Sequence, residues 1–195
     1  RSQIDSTLVD DSAIDSIVEP FKKELDRQMN VVLNQADTDL ENHRPESKLG
    51  NLVADLSLDI ANQYYQPDDK QTIDFCLLNT GGLRTSIPKG PITLSTAFQV
   101  MPFENELVVI TLSSEKVKEL FGYLADKGGE PISGATMIIQ DSEPFNVLIN
   151  GKPINESKNY KVVTSDYLAR GGDKMYFFSD PINSEKVGIK LRDAI

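Results

Sequence analysis

The chain has 195 residues, 39% of them hydrophobic and 26% charged, and a formal net charge of −10. That length suffices for a real core and fits one domain with at most an appended helix, and no apolar stretch is long enough to span a bilayer. The lysines and arginines are scattered, which excludes a nucleic-acid polyanion as partner because phosphate neutralisation needs a basic patch; a small anionic ligand stays open where a few arginines converge.

In chain order, residues 1 to about 12 read as a tail, and the sequence begins at Arg1 without an initiator methionine or a signal peptide, which predicts a mature or trimmed form of something longer. Ile14, Ile17, Val18, Phe21, Leu25, Met29 and Val32 recur at helical spacing after Asp11 or Ser12 as N-cap, with Pro20 demanding a kink or a later start. A second helix carries Leu49, Leu52, Val53, Leu56 and Ile60, starts at Ser47 and ends before Pro67.

Ile73 to Leu78 is a short apolar run of the kind expected for a strand buried on both faces, and Cys76 within it reads as a small buried hydrophobe. Leu94 to Met101 predicts a short helix stopped by Pro102, and Leu107 to Leu112 a strand rich in β-branched residues. A helix capped by Ser113 or Ser114 follows, with Val117, Leu120, Phe121 and Leu124 on one face. The last third reads as strands at 135–140, 145–149 and 160–164, with Asn150-Gly151 as a type I′ hairpin, and Ser184 as the cap of a closing helix that buries Val187 and Leu191. Helices and strands interleave without a regular βαβ rhythm, so the expected class is α+β (α/β mixed), with mixed sheets and helices outside.

Two glycine pairs end predicted strands: Asn79-Thr80-Gly81-Gly82-Leu83-Arg84 and Arg170-Gly171-Gly172-Asp173. Glycines at a strand end let backbone N–H groups approach an anion, and Arg84 offers a fork of donors suited to phosphate; the other reading is a structural turn with a solvated arginine. Asn79 can pair with a base edge or a loop carbonyl. Asp173 can accept from vicinal ribose hydroxyls or merely close its own Asx-type turn, and Phe103 and Tyr167 can flank a ring or belong to the core. His43 is the single histidine, too few for a two-metal hydrolase or a convincing Ser-His-Asp triad, so no metal site is expected on this chain.

The ordered segments Ser47-Lys48-Leu49-Gly50-Asn51-Leu52-Val53-Ala54-Asp55, Leu78 to Arg84, Met101-Pro102-Phe103-Glu104-Asn105 and Tyr167 to Asp173 together resemble the C-terminal domain of the 5′-nucleotidase family. The match runs from about Glu41 to the chain end. The resemblance implies a layered α-β-β-α fold, a division into a tail with a linker-type helix (1–40) and a substrate-binding domain (41–195), and no catalytic residue in this chain. It implies that Arg84 holds phosphate beside Gly81 and Gly82, that Asn79 contacts the base, that Phe103 and Tyr167 sandwich it, and that Asp173 holds the ribose. Arg44 is implied as a second phosphate ligand, although its distance from Leu49-Gly50 differs from the usual family spacing.

The resemblance further implies a partner metallophosphatase domain, in cis or in trans, that carries two divalent metals and performs hydrolysis. It also implies a location outside the cytoplasm, in a periplasm or tethered to an outer surface, for instance by a lipid anchor. Three positions depart from the family: Tyr167 stands where phenylalanine is usual, Arg170 replaces a small polar residue, and Glu104 replaces a residue that is often glycine. The alternatives are a binding protein that keeps the fold and has lost the nucleotide site, and an independent hydrolase that depends on His43.

Overall fold

The structure is a computed structural model and describes residues 11–67 and 69–195; residues 1–10 of the tail expected at 1 to about 12 lie outside the described residues, and residues 11 and 12 already belong to the start of a helix. Helix α1 (Ser12–Met29) is capped by Asp11, whose carboxylate accepts the Ala13 N–H at 2.9 Å, and it begins before Pro20 rather than after it. It ends earlier than its apolar stripe suggests. Both the backbone N–H and the side-chain amide of Asn30 turn back to the Asp26 carbonyl, and the β-branched residue Val32, expected in the helix, instead opens strand β1 (Val32–Ala36). Strand β1 pairs antiparallel with residues Gly90–Thr93.

Helix α2 (Lys48–Tyr64) starts at Ser47, whose hydroxyl accepts the Gly50 N–H at 3.0 Å, as the sequence predicts. Strand β2 (Phe75–Leu77), strand β3 (Gly90–Thr93), helix α3 (Leu94–Val100) and strand β4 (Glu106–Leu112) follow. Helix α4 (Ser114–Asp126) is capped by Ser113, and then come β5 (Ile132–Ser133), β6 (Ala135–Gln140), β7 (Glu143–Ile149) and β8 (Lys152–Pro153). Asn150 at φ 50° and Gly151 at φ 72° make the positive-φ turn expected between β7 and β8. Strand β9 (Tyr160–Ser165), the short helix α5 (Asp166–Ala169), strand β10 (Asn183–Lys190) and the final turn α6 (Leu191–Ala194) complete the chain.

Five strands form a mixed sheet in the order β10-β4-β9-β2-β5, with β2 and β9 parallel and the other pairs antiparallel. Successive residues on each strand feed opposite cores. Cys76, Leu107, Val109 and Val163 pack with Leu49, Val53 and Ala54 of α2, whereas Phe75, Leu77, Val108, Ile110 and Val162 pack with Val117, Leu120, Phe121 and Leu124 of α4. Burial on both faces explains why β2 reads as an unbroken apolar run, while β9 is buried along its whole length although it carries Lys161, Thr164 and Ser165. Leu49 and Leu120 are fully buried on opposite sides, and trimming either to alanine costs about 2–5 kcal/mol. Burial also pushes the Cys76 thiol well above the ordinary range, with the Asp55 carboxylate adding to it, so this cysteine is inert packing.

The expected closing helix at Ser184 is not formed. Ser184 lies opposite Ile110 in the β10–β4 ladder, and only residues 191–194 are helical. Val187 and Leu191 are spaced for a helix, but Glu185, Val187 and Ile189 also alternate with exposed neighbours, and Gly188 at φ 87° stands in a conformation that a helix does not accept. The unpaired edge of β4 decides between the two patterns.

Candidate functional site

The topology gathers three chain segments at one end of the sheet. Because β2 and β9 are parallel while β4 is antiparallel to β9, with Leu107 opposite Ser165, the chain leaves β2 and β9 and enters β4 at the same end. Asn79 follows β2, Tyr167 follows β9, and Phe103 precedes β4.

The first glycine pair lies in a single 3₁₀ turn, Thr80–Gly82, directly after Asn79. Gly82 is buried, and a Cβ there would meet the Asn79 Oδ1 at 2.8 Å, so the residue is glycine for lack of room. Asn42 donates its amide to the Thr80 and Leu83 carbonyls at 3.1 and 2.9 Å, and Glu130 accepts the Thr80 N–H and hydroxyl at 2.6 and 2.7 Å. Arg84 is exposed, and the only hydrogen bond of its guanidinium among the described residues is a long one, 3.4 Å, to the Gly81 carbonyl. Its charge is open to an anion.

The second pair uses backbone freedom as well as space. Gly171 has φ 87°, and Asp173 and Lys174 follow at φ 52° and 64°. A Cβ on Gly172 would meet the Tyr167 ring at 2.5 Å, so the ring lies directly on the glycine. The Tyr167 hydroxyl donates to Asp173 Oδ1 at 2.9 Å, and the Asn79 amide donates to Asp173 Oδ2 at 2.6 Å. Tyr123 donates to the Asp173 carbonyl at 2.7 Å. The structure thus brings together Asn79, Gly81, Gly82, Tyr167 and Asp173, from turns some ninety residues apart, with the carboxylate as the hub. A carboxylate has about four acceptor sites, so two remain for an incoming pair of hydroxyls.

This arrangement supplies the partner that the extra hydroxyl of Tyr167 requires. The bond to Asp173 holds the Tyr167 phenol above its ordinary range, because only the protonated phenol can donate it, and the charge of the neighbouring carboxylate adds to the effect. Phe103 is 41% exposed and Tyr167 46%, and both rings leave the same end of the β4–β9 pair. Neither ring packs against another aromatic among the described residues.

Arg44 is placed differently from Arg84. Its guanidinium is paired with Glu130 and donates from Nε to the Gly129 carbonyl at 2.8 Å. Glu130 therefore links Arg44 to the first glycine turn and already neutralises it. Nothing in the sequence singles out Glu130, since Gly128-Gly129-Glu130-Pro131 reads as an exposed loop, yet its side chain is almost wholly buried. Tyr123 was equally hidden, as one residue on a helix face, and no local signal marks it.

A cleft of about 490 Å³ is lined by Glu130 and, among others, His43, Gly50, Pro131, Ser133 and Met137. None of the eight anticipated site residues lines it. Among the described residues no three histidine, cysteine or acidic side chains are grouped to hold a metal, and no helix is long and apolar enough to cross a membrane.

Residues 28–180 match the family model described as 5′-nucleotidase, C-terminal domain. A 5′-nucleotidase of Vibrio vulnificus is 27% identical over 186 residues, which cover 89% of this chain and 31% of that protein. Protein UshA of Escherichia coli is 24% identical over 168 residues, covering 81% of this chain and 29% of its own length. The crystal structure of a 5′-nucleotidase precursor from Thermus thermophilus superposes with a TM-score of 0.74 at 25% identity, over 92% of this chain and 38% of that one. The chain thus spans about a third of the length of such relatives, and the matched segment includes both glycine turns, Phe103 and Arg44. By the extent of that match, this chain belongs to the 5′-nucleotidase C-terminal domain family.

Proposed function

We propose that this chain is the substrate-holding domain of a 5′-nucleotidase-type phosphohydrolase, binding a nucleoside monophosphate or a related ester for a metallophosphatase domain that acts on it. The observation that carries the reading is the Asp173 hub, where Asn79 and Tyr167 converge on one carboxylate beside both glycine turns. In this reading Phe103 and Tyr167 stack on the base, a contact of about 1–3 kcal/mol that discriminates poorly among bases. Asp173 accepts from the ribose hydroxyls with the oxygen sites that Asn79 and Tyr167 leave free, and Asn79 orients the carboxylate and reaches the base edge. Arg84, charged and exposed, neutralises phosphate next to the Gly81 and Gly82 backbone.

The chain's share of the chemistry is positioning and charge neutralisation. Two divalent metals would sit on the partner metallophosphatase domain, in cis or in trans, and would supply the activated water. The names of the relatives support this division, since they belong to proteins about three times as long as the matched segment. A location outside the cytoplasm, in a periplasm or tethered to an outer surface, goes with the same reading, as does a boundary between helix α1 and the binding domain near residue 40.

Titration calorimetry with AMP, adenosine and UMP tests the proposal. Saturable binding, weakened by Asp173→Ala and by Phe103→Ala, is expected. No binding up to millimolar ligand, or binding indifferent to both substitutions, would overturn it. One observation favours a second reading, a binding protein that has lost the nucleotide site: Arg44 is spent on Glu130 and both Asp173 oxygens are engaged within the chain. Calorimetry separates the two directly.

A further inference from the structure

The loop that carries Phe103 is held from outside the site, by the end of the chain. Its first residue, Met101, is buried, and its last, Asn105, accepts the Leu191 N–H at 2.8 Å. Between them Phe103 has no ring partner among the described residues, but the next side chain, Glu104, makes ion pairs with both Lys190 and Arg192. Arg192 is itself an anchored group. It is 8% exposed, donates at 3.4 Å to the Met101 carbonyl, and lies over the Phe98 ring with its guanidinium carbon 3.9 Å from the centroid.

From this clamp we infer that Glu104 is a positioning residue for Phe103, locking the loop between Met101 and Asn105 to β10 and α6 so that the ring stays on the base-binding side. The inference rests on the nucleotide reading of the site. The physical reason is local. A loop of five residues with an exposed aromatic loses considerable freedom when it is ordered, and a carboxylate fastened at the next position removes that freedom before the ligand arrives. Arg192 sets the direction, because its guanidinium is buried on an aromatic ring while the Glu104 carboxylate is exposed and free to adapt. Lys190, first, and Arg192, second, hold the Glu104 carboxyl at about 2, so the clamp stays charged throughout the ordinary pH range. A glycine at position 104 would leave the Phe103 loop without the tie. The chain-end segment that supplies both cations thereby becomes part of the site without touching ligand.

A double-mutant cycle with adenosine as the probe tests the role in the full chain. Glu104→Gln keeps the shape and removes the charge; adenosine affinity should fall about fivefold, the lower end of what one base stack is worth. Lys190→Gln, which leaves the Arg192 arm intact, should give a smaller loss. In the Phe103→Ala background Glu104→Gln should have no further effect, because the two residues act through one ring. Equal losses in both backgrounds, or no loss in the wild-type background, overturn the inference while leaving the nucleotide reading intact. A wild-type chain that binds neither adenosine nor AMP overturns the nucleotide reading, and this role with it. Thermal unfolding of Glu104→Gln close to that of the wild type shows that the change in affinity is not a folding defect.

Discussion

The two glycine turns look alike in the sequence and are held in opposite ways. The first is fastened from beneath: buried Glu130 takes the Thr80 N–H and hydroxyl, Asn42 takes two carbonyls, and neither glycine has a positive φ. The second is fastened from above, by the Tyr167 ring lying on Gly172 and the Tyr167 hydroxyl on Asp173, and its backbone enters the left-handed region at Gly171, Asp173 and Lys174. In the proposed reading the first turn would face phosphate and the second the ribose, so the two modes of support can be tested separately.

The largest effect should come from removing the base of the first turn. Glu130→Ala leaves the Thr80 N–H without its acceptor and Arg44 without its counter-charge, and should lower unfolding free energy by about 2–3 kcal/mol in chemical denaturation; the value sits below that of a fully buried ion pair because the Arg44 side chain is 41% exposed. Glu130→Gln keeps an acceptor for Thr80 and releases Arg44. It should therefore cost less stability and raise affinity for AMP relative to adenosine. An unchanged AMP to adenosine ratio would mean that Arg44 does not face the phosphate.

Next in size is a contrast of alanines. Gly172→Ala forces a Cβ to within 2.5 Å of the Tyr167 ring, and displacing that ring should cost about 1–2 kcal/mol of stability and most of the nucleoside affinity. Gly81→Ala meets nothing nearer than 3.5 Å and should be close to neutral in both measurements. Equal effects at the two positions would erase the distinction between the turns.

That contrast also marks how far the sequence carries. The members of the second turn and their partners Asn79 and Tyr167 are legible because each ends an apolar run or stands beside a glycine, and glycine pairs are local signals. The strands β4, β6 and β9 and the helices α2 and α4 are legible for the same reason, as period and caps lie within a few residues. Glu130 is not legible, because what makes it matter is burial against residues 50 and 86 positions away. Strand β10 is misread as a helix because Val187 and Leu191 satisfy both periods and only the open edge of β4 chooses. The earlier end of α1 has the same origin: Val32 fits the helical stripe but pairs with Thr93. Local pattern fixes elements; long-range partners fix the site.

A smaller effect is expected at the hub itself. Asp173→Asn keeps the shape and some accepting capacity but removes the charge, and should weaken adenosine binding about tenfold, the scale of one charge-assisted hydrogen bond. The same substitution should lower the Tyr167 phenol toward its ordinary range, since the carboxylate that opposes its ionisation is gone. Ultraviolet titration of the variant against Tyr167→Phe isolates that one phenol from the other tyrosines. A phenol that does not move would mean that the Tyr167–Asp173 bond does not persist in solution, and the cover of the second turn would then be loose.

The smallest effect, and the one that most sharpens the division between the turns, belongs to Tyr167→Phe. The ring stays, so stacking should survive. What goes is the hydroxyl, which donates to Asp173 Oδ1 at 2.9 Å and accepts the Asp173 N–H at 3.3 Å. Both bonds are solvent-exposed, so their net worth to stability is small and unfolding should shift by less than about 1 kcal/mol. The lost donor leaves Asp173 Oδ1 with a free acceptor site at the place where a ribose hydroxyl is expected. Adenosine affinity should therefore rise by about two- to threefold, while 2′-deoxyadenosine, which lacks one of the two hydroxyls, should gain less. Equal gains for both nucleosides would remove the ribose from Asp173, and a loss for both would make the hydroxyl a direct contact with the ligand instead of a latch on the carboxylate.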